Sequence, residues 1–166
     1  MSYSVSVTVS TNNETKELIS KLNRMSSVDK HSVFNAIGEG LRTSTVERFQ
    51  NQAAPGGSRW EPSIRAIAEG GKTLIQTTTL RNSIHVESSS EGVTIGTNDI
   101  RAATLQFGDE RTIRAKNAKY LRFKGGDRKW HSVKQVKIKI PARPFLGISE
   151  SDEREIRDTI EEALDV

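Results

Sequence analysis

Lys72 follows two glycines and precedes a threonine in AIAEGGKT, residues 66–73. A lysine and a hydroxyl placed after glycines form the end of a phosphate-binding loop, where backbone N–H groups and the ammonium cradle an anion. That chemistry needs a glycine where Ala66 stands, a strand before the loop and a helix after it. LIQTTT after Thr73 is a poor helix start, so the stretch reads as a glycine-rich turn with a solvated Lys72. Gly38 and Gly40 would open a dinucleotide fingerprint, but Thr43 stands where the third glycine belongs and the surroundings are helical. They read instead as positions of close helix packing or a kink. His31, His85 and His131 are widely separated, with no spacing that suits a metal site. The chain has no cysteine, which excludes disulfides and Cys-based zinc sites. No acid lies in an apolar run that would raise its pKa, and no GxSxG motif is present. Nothing here points to an enzyme, a cofactor or a metal.

Charge is the larger signal. The 166 residues carry a net +4, but Arg111 to Arg143 hold twelve lysines and arginines against one acid, Asp127. Glu150 to Asp165 hold eight acids and two arginines. The basic candidates are Arg111, Arg114, Lys119, Arg122, Lys124, Arg128, Lys129, Lys137 and Lys139, interleaved with Tyr120, Phe123 and Trp130. Cations beside stacking groups suit non-specific nucleic-acid contact. They suit equally the acidic face of a protein, or the acidic tail of a neighbouring copy. Some of these aromatics are expected in the core, because Leu121 and Phe123 alternate with Arg122 and Lys124 as in any half-buried strand. No nucleic-acid-binding motif is recognisable.

The elements that must carry these groups follow from periodicity. The chain is long enough for one domain with a core. No stretch approaches a membrane span, and MSYSVSVTVS lacks the regions of a signal peptide. YSVSVTV alternates as a half-buried strand. Leu18, Leu22 and Met25 predict an amphipathic helix over 14–25. A second helix is expected over 28–53, with Phe34, Ile37, Leu41, Val46 and Phe49 as its apolar stripe. Pro55-Gly56-Gly57 breaks it. A short helix over 63–69 precedes TTTLRNSIHVES, which becomes strand-like, and SSSEG turns the chain into VTIGT, giving a hairpin. RAATLQFG is a helical turn. KYLRFK and WHSVKQVKIKI are two further strands, the second with Val136, Ile138 and Ile140 inward. Pro141 ends that strand and Pro144 holds Arg143 away from helical angles. Phe145 and Leu146 anchor this joint, and Ser149 caps a closing helix whose stripe is Ile156, Ile160, Ala163 and Leu164. The expected fold class is α+β: a single domain over 1–166, with a mostly antiparallel sheet packed with helices and a closing C-terminal helix.

In chain order, PGGSRWEP, TTLRNSI, GVTIGT, LQFG and IPARPFLGIS, followed by an acidic helix, resemble the tailed-phage virion morphogenesis family. These are the tail-completion proteins of Mu-like and P2-like phages. The resemblance covers roughly residues 36–165, leaving 1–27 outside it, and IPARPFLG is its most specific part. Two places depart from the family's pattern. Thr79 stands in TTTL where the family has the glycine of TG.L, and Arg101-Ala102 and Leu105 replace an aromatic-Ala pair and a histidine before QFG.

The resemblance implies a structural virion protein, not an enzyme. It would complete the head-proximal end of the tail and support head–tail joining as part of a ring of its own copies. Its partners would be other neck, connector and tail-terminus proteins, with genomic DNA passing non-specifically through the channel and no membrane. It would reside in the neck of the virion, after assembly in the host cytoplasm. Pro141, Arg143, Pro144, Phe145, Leu146 and Gly147 then become a rigid elbow that orients the closing helix. Arg143 could bridge subunits or bond to local carbonyls. Pro55, Gly56, Gly57, Arg59 and Trp60 form either a plain turn with Trp60 in the core or a finger that grips a neighbouring ring. The alternative is a nucleic-acid-binding module built on the basic 111–143 hairpin.

Overall fold

Helix α1, Lys30–Asn51, is the element on which the other layers pack. In this computed structural model residues 5–8, 16, 18–19, 28–125, 127 and 129–164 are described. Asp29 caps α1, its carboxylate accepting from the N–H groups of His31 and Ser32 at 3.1 and 3.4 Å. Gln52 ends it in the left-handed region at φ 56°. Helix α1 is thus slightly shorter at both ends than the predicted 28–53. Its buried face is Val33, Phe34, Ile37, Gly38, Leu41, Thr45, Arg48 and Phe49. Val46, expected in the stripe, is only half-buried. Thr45 and Arg48 take the buried positions because their polar groups have partners there.

The two glycines of α1 mark close approaches. A Cβ on Gly38 would stand 2.4 Å from Val86 Cγ1 and 2.8 Å from Val93 Cγ2. A Cβ on Gly40 would stand 2.8 Å from Glu155 Oε1. Side chains of the sheet and of the closing helix therefore occupy the space, and the roughly 1 kcal/mol that each glycine costs a helix is the cost of that packing.

The sheet against α1 has three antiparallel strands in the order β1-β3-β2. They are β1 (Val5–Thr8), β2 (Ile84–Ser88) and β3 (Val93–Thr97). The predicted hairpin is present, closed by Ser89 N–H to Gly92 O at 2.9 Å. Strand β1 adds to its free edge with Val5 opposite Thr97. The rest of YSVSVTV lies outside the described residues. So does most of the predicted helix 14–25, of which Lys16, Leu18 and Ile19 are helical and Leu18 packs against the core.

Short helices link these layers: α2 (Ile64–Glu69), α3 (Thr79–Asn82) and α4 (Ala102–Phe107). The closing helix is α5, Glu150–Leu164. TTTLRN is thus not strand-like. Thr78 sits in the left-handed region at φ 54°, and the chain then makes one helical turn before β2. The position with the glycine-like backbone is therefore Thr78, not Thr79, and Thr78 is where TG.L laid on Thr77–Leu80 places its glycine. Of the predicted stripe of α5, Ile160 is fully buried, and Ile156, Ala163 and Leu164 pack against the core from half-buried positions.

The basic region departs most from expectation. WHSVKQVKIKI is not one strand. Its first part, β6 (Trp130–Val133), pairs with β5 (Leu121–Lys124). Its second part, β7 (Gln135–Ile140), pairs with β4 (Asp109–Arg114). Ala115 N–H to Lys134 O at 3.0 Å joins the two blocks. The result is a ribbon of two short two-stranded sheets with a bend at Lys134 between them, separate from the three-stranded sheet. No described residue from Asp109 to Ala142 is buried. Tyr120, Phe123 and Trp130 are exposed by 44%, 37% and 65%, so these aromatics are not core. Val136, Ile138 and Ile140 do alternate with exposed Lys137 and Lys139, but only to half-burial. Alternation distinguishes the two faces of a strand; it does not supply a layer to cover one of them.

Candidate functional site

The core and the ribbon meet at 141–147. Every carbonyl from Pro144 to Gly147 accepts a side-chain hydrogen bond. Trp60 Nε1 donates to Pro144 O at 2.9 Å. Arg48 Nη1 donates to Phe145 O and Gly147 O at 3.0 and 2.8 Å. Gln106 Nε2 donates to Leu146 O at 2.8 Å, while its Oε1 accepts from the N–H groups of Phe145 and Leu146 at 3.0 and 3.1 Å. Arg143 N–H donates to Leu105 O at 2.7 Å. A buried backbone without regular structure must find partners, and here three side chains supply those of four carbonyls.

Arg143 is buried and its Nε donates to Glu61 O at 2.8 Å within the same chain. Burial lowers the pKa of its guanidinium, with the Glu61 charge opposing that shift. Phe145 is fully buried, 5.4 Å from the Phe49 ring, which meets Trp60 edge-on at 5.5 Å. Leu146 is buried beside them. Pro141 and Pro144 are half-buried. Gly147 has φ 150°, and a Cβ there would stand 2.8 Å from Pro55 Cγ. Gly108, at φ 77°, lets α4 end against the joint, where a Cβ would stand 2.9 Å from Ala142 N and Ile140 O.

Arg48 also reaches the closing helix. Its Nη2 pairs with Asp152, which is 2% exposed. Asp152 accepts from Ser149 N–H at 2.7 Å, and Ser149 Oγ accepts from Asp152 N–H at 3.2 Å, a capping box at the start of α5. Burial pushes the Asp152 pKa up. Hydrogen bonds from Ser44 and Ser149 and the Arg48 charge outweigh it, so the carboxyl lies below its ordinary value. Burial likewise lowers the Arg48 pKa against the opposing pull of Asp152.

The loop after α1 divides in two. Trp60 is in the core and Pro55 leans on Gly147, whereas Gly56, Gly57 and Arg59 are exposed. Ala53 and Arg59 form a bridge, and Trp60 N–H donates to Gln52 O at 2.8 Å, so the loop is a closed turn. Lys72 donates to Gln50 Oε1 at 3.0 Å. Thr73 is buried and its backbone forms a two-bond pair with the Gln52 amide at 2.6 and 2.9 Å. The stretch that echoes a phosphate loop is thus a strut between α2 and the end of α1, and a helix precedes it.

The basic candidates lie on the ribbon, away from the elbow. Arg111 pairs with Asp109, and Lys137 with Glu110. Arg122 lies over the Trp130 ring at 5.4 Å, and Lys119 over Tyr120 at 5.7 Å. His131 stacks on Phe123 and bonds Asp127, whose carboxyl it holds below its ordinary value. Arg114, Lys124, Lys129 and Lys139 are exposed, and Arg128 lies outside the described residues. No group of three His, Cys, Asp or Glu that could hold a metal is found among the described residues. No described helix is long and apolar enough to cross a membrane.

PGGSRWEP, LQFG and IPARPFLG, read separately in the sequence, thus touch one another at the elbow. A match to the phage virion morphogenesis family runs over residues 11–165. The chain belongs to this family. The match begins at residue 11, well upstream of the expected 36, and so takes in most of the segment 1–27 that the resemblance left outside. A relative, Mu-like prophage FluMu G protein 2 of Haemophilus influenzae, is 26% identical over 152 residues, covering 90% of this chain and 91% of its own. No solved structure gives a significant match. As a member of the phage virion morphogenesis family, the chain has a phage structural or assembly role. Sequence reasoning missed Arg48, and it gave Gln106 and Asp152 no role in the clamp. Gln106 sat inside a quoted motif, LQFG. Asp152 is one of the eight acids of the C-terminal stretch, and nothing local marks it as the partner of a cation 104 residues away.

Proposed function

We propose that this protein completes the head-proximal end of a phage tail and supports head–tail joining as one subunit of a ring. The observation that carries this reading is the elbow. The motifs that carry the family resemblance meet there as a clamp of buried carbonyls, amides and one ion pair. Such a clamp performs no reaction; it sets the orientation of α5 and of the ribbon relative to the core. A part with two rigidly aimed projections suits assembly in a closed ring, in which each head-to-tail contact must repeat at one fixed angle. Other neck, connector and tail-terminus proteins are its proposed partners, with DNA passing non-specifically through the channel. Its proposed location is the virion neck, after assembly in the host cytoplasm.

A second reading is favoured by the exposed Trp130, Phe123 and Tyr120 among the ribbon's cations. Non-specific nucleic-acid contact through the ribbon would weaken steeply as salt rises.

Electron microscopy of lysates from a phage with an early nonsense codon in this gene tests the first reading. Filled heads beside unjoined or irregular tails are expected. Normal infectious particles would overturn it.

A further inference from the structure

The ribbon has a structural problem of its own. It consists of the six paired rows of β4–β7 and the four of β5–β6, joined where Ala115 N–H meets Lys134 O and the chain bends. At ~3.3 Å per row the longer part spans roughly 20 Å. An isolated two-stranded ribbon is marginal in water; it needs another strand or a packed surface. This one has no buried residue along its described length. Its ion pairs among the described residues stay within it, on Asp109, Glu110 and Asp127. These pairs leave Arg114, Lys124 and Lys134 exposed to solvent.

Helix α5 presents the opposite charge. Glu150, Glu153, Asp158, Glu161 and Glu162 are exposed, while Asp152 and Ile160 hold the other side to the core. The helix is roughly 22 Å long at ~1.5 Å per residue, about the length of the β4–β7 part of the ribbon. The clamp fixes both projections to one body. The ribbon ends at Ile140 and α5 begins at Glu150, with the Arg48-bound elbow between them.

We infer that the basic ribbon of one copy docks along the acidic outer face of α5 on the next, so that each copy gives a ribbon and receives one. This deepens the ring reading, and depends on it only in requiring that copies lie side by side. Charge complementarity chooses a second copy over DNA. A nucleic acid would use the ribbon and leave the acidic face without a role, whereas a second copy uses both surfaces in a repeating, head-to-tail contact.

Charge reversal on the full chain tests this. One variant carries Arg114→Glu, Lys124→Glu and Lys134→Glu. The other carries Asp158→Lys, Glu161→Lys and Glu162→Lys, in the half of α5 where the helix dipole favours cations. Light scattering after gel filtration reads the mass, and circular dichroism confirms that each variant folds. The wild type is expected to associate at low salt and to dissociate at high salt. Each variant alone is expected to be monomeric. Mixing the two should restore association, because the reversed ribbon then faces a reversed helix and the native ribbon a native one. A wild type that is monomeric at both salt levels, variants that keep the wild-type mass, or a mixture that stays monomeric would each overturn the inference. So would a ribbon variant whose only change is loss of binding to non-specific DNA. These outcomes do not depend on whether the nonsense mutant makes particles, so either proposal can fail alone.

Discussion

Arg48 in the middle of the fold and Asp152 at the start of the closing helix form a buried ion pair that also organises the elbow between ribbon and helix. One guanidinium thereby satisfies two elbow carbonyls, a helix-capping carboxylate and the hydroxyls of Ser44 and Thr45. Removing Arg48 leaves a buried charge, the buried Phe145 carbonyl and the part-buried Gly147 carbonyl without this partner. Arg48→Ala is therefore expected to cost about 3–5 kcal/mol in denaturant unfolding. Arg48→Lys should recover only part of it, since an ammonium cannot repeat the planar fork. A loss below about 1 kcal/mol for Arg48→Ala would contradict the clamp, because surface ion pairs are worth no more than that.

The same pair predicts a pH dependence. The folded state holds the Asp152 carboxyl below its ordinary pKa of 3.8. Its contribution is therefore fully present above about pH 4. It is lost as pH falls through the lower, folded value. Asp152→Asn should weaken the protein at neutral pH and flatten the acid limb of its stability curve. Parallel acid limbs for the wild type and the variant would place the acid sensitivity elsewhere.

Phe145 is the apolar half of the joint, fully buried against Phe49. Phe145→Ala should cost about 3–5 kcal/mol. A thermal melt unchanged from wild type would refute its anchoring role.

Thr78 adopts φ 54° with a β-branched side chain, a conformation that costs an L-residue roughly 1–2 kcal/mol. Thr78→Gly should raise the melting temperature by removing that strain, less the entropy a glycine loses on folding. Thr79→Gly, inside the helical turn, should lower it. The opposite order would contradict strain at Thr78.

Local pattern made the layers legible. The Phe34–Phe49 stripe, the β2–β3 hairpin and the Ser149 cap are all set by neighbours within a few residues. The clamp was not legible, because Arg48 and Thr45 read as polar interruptions of a stripe until their partners are in place. Arg48 bonds Phe145 and Gly147, 97 and 99 residues away, and no spacing within a helix announces that. The ribbon misled for a different reason. DERTIR has no apolar alternation, so β4 was not visible as a strand, and without it β7 had to be assigned to the sheet. The elbow's importance was legible in Pro141, Pro144 and Phe145, but what it holds required the fold.

Complementation in vitro tests most directly whether this protein acts at the tail end of the junction. Heads and tails from the nonsense-mutant lysate are separated, and each is incubated with purified protein before the excess is removed. Treated tails mixed with untreated heads should yield infectious particles. Infectivity recovered only when the heads are treated, or not recovered at all, would contradict tail completion.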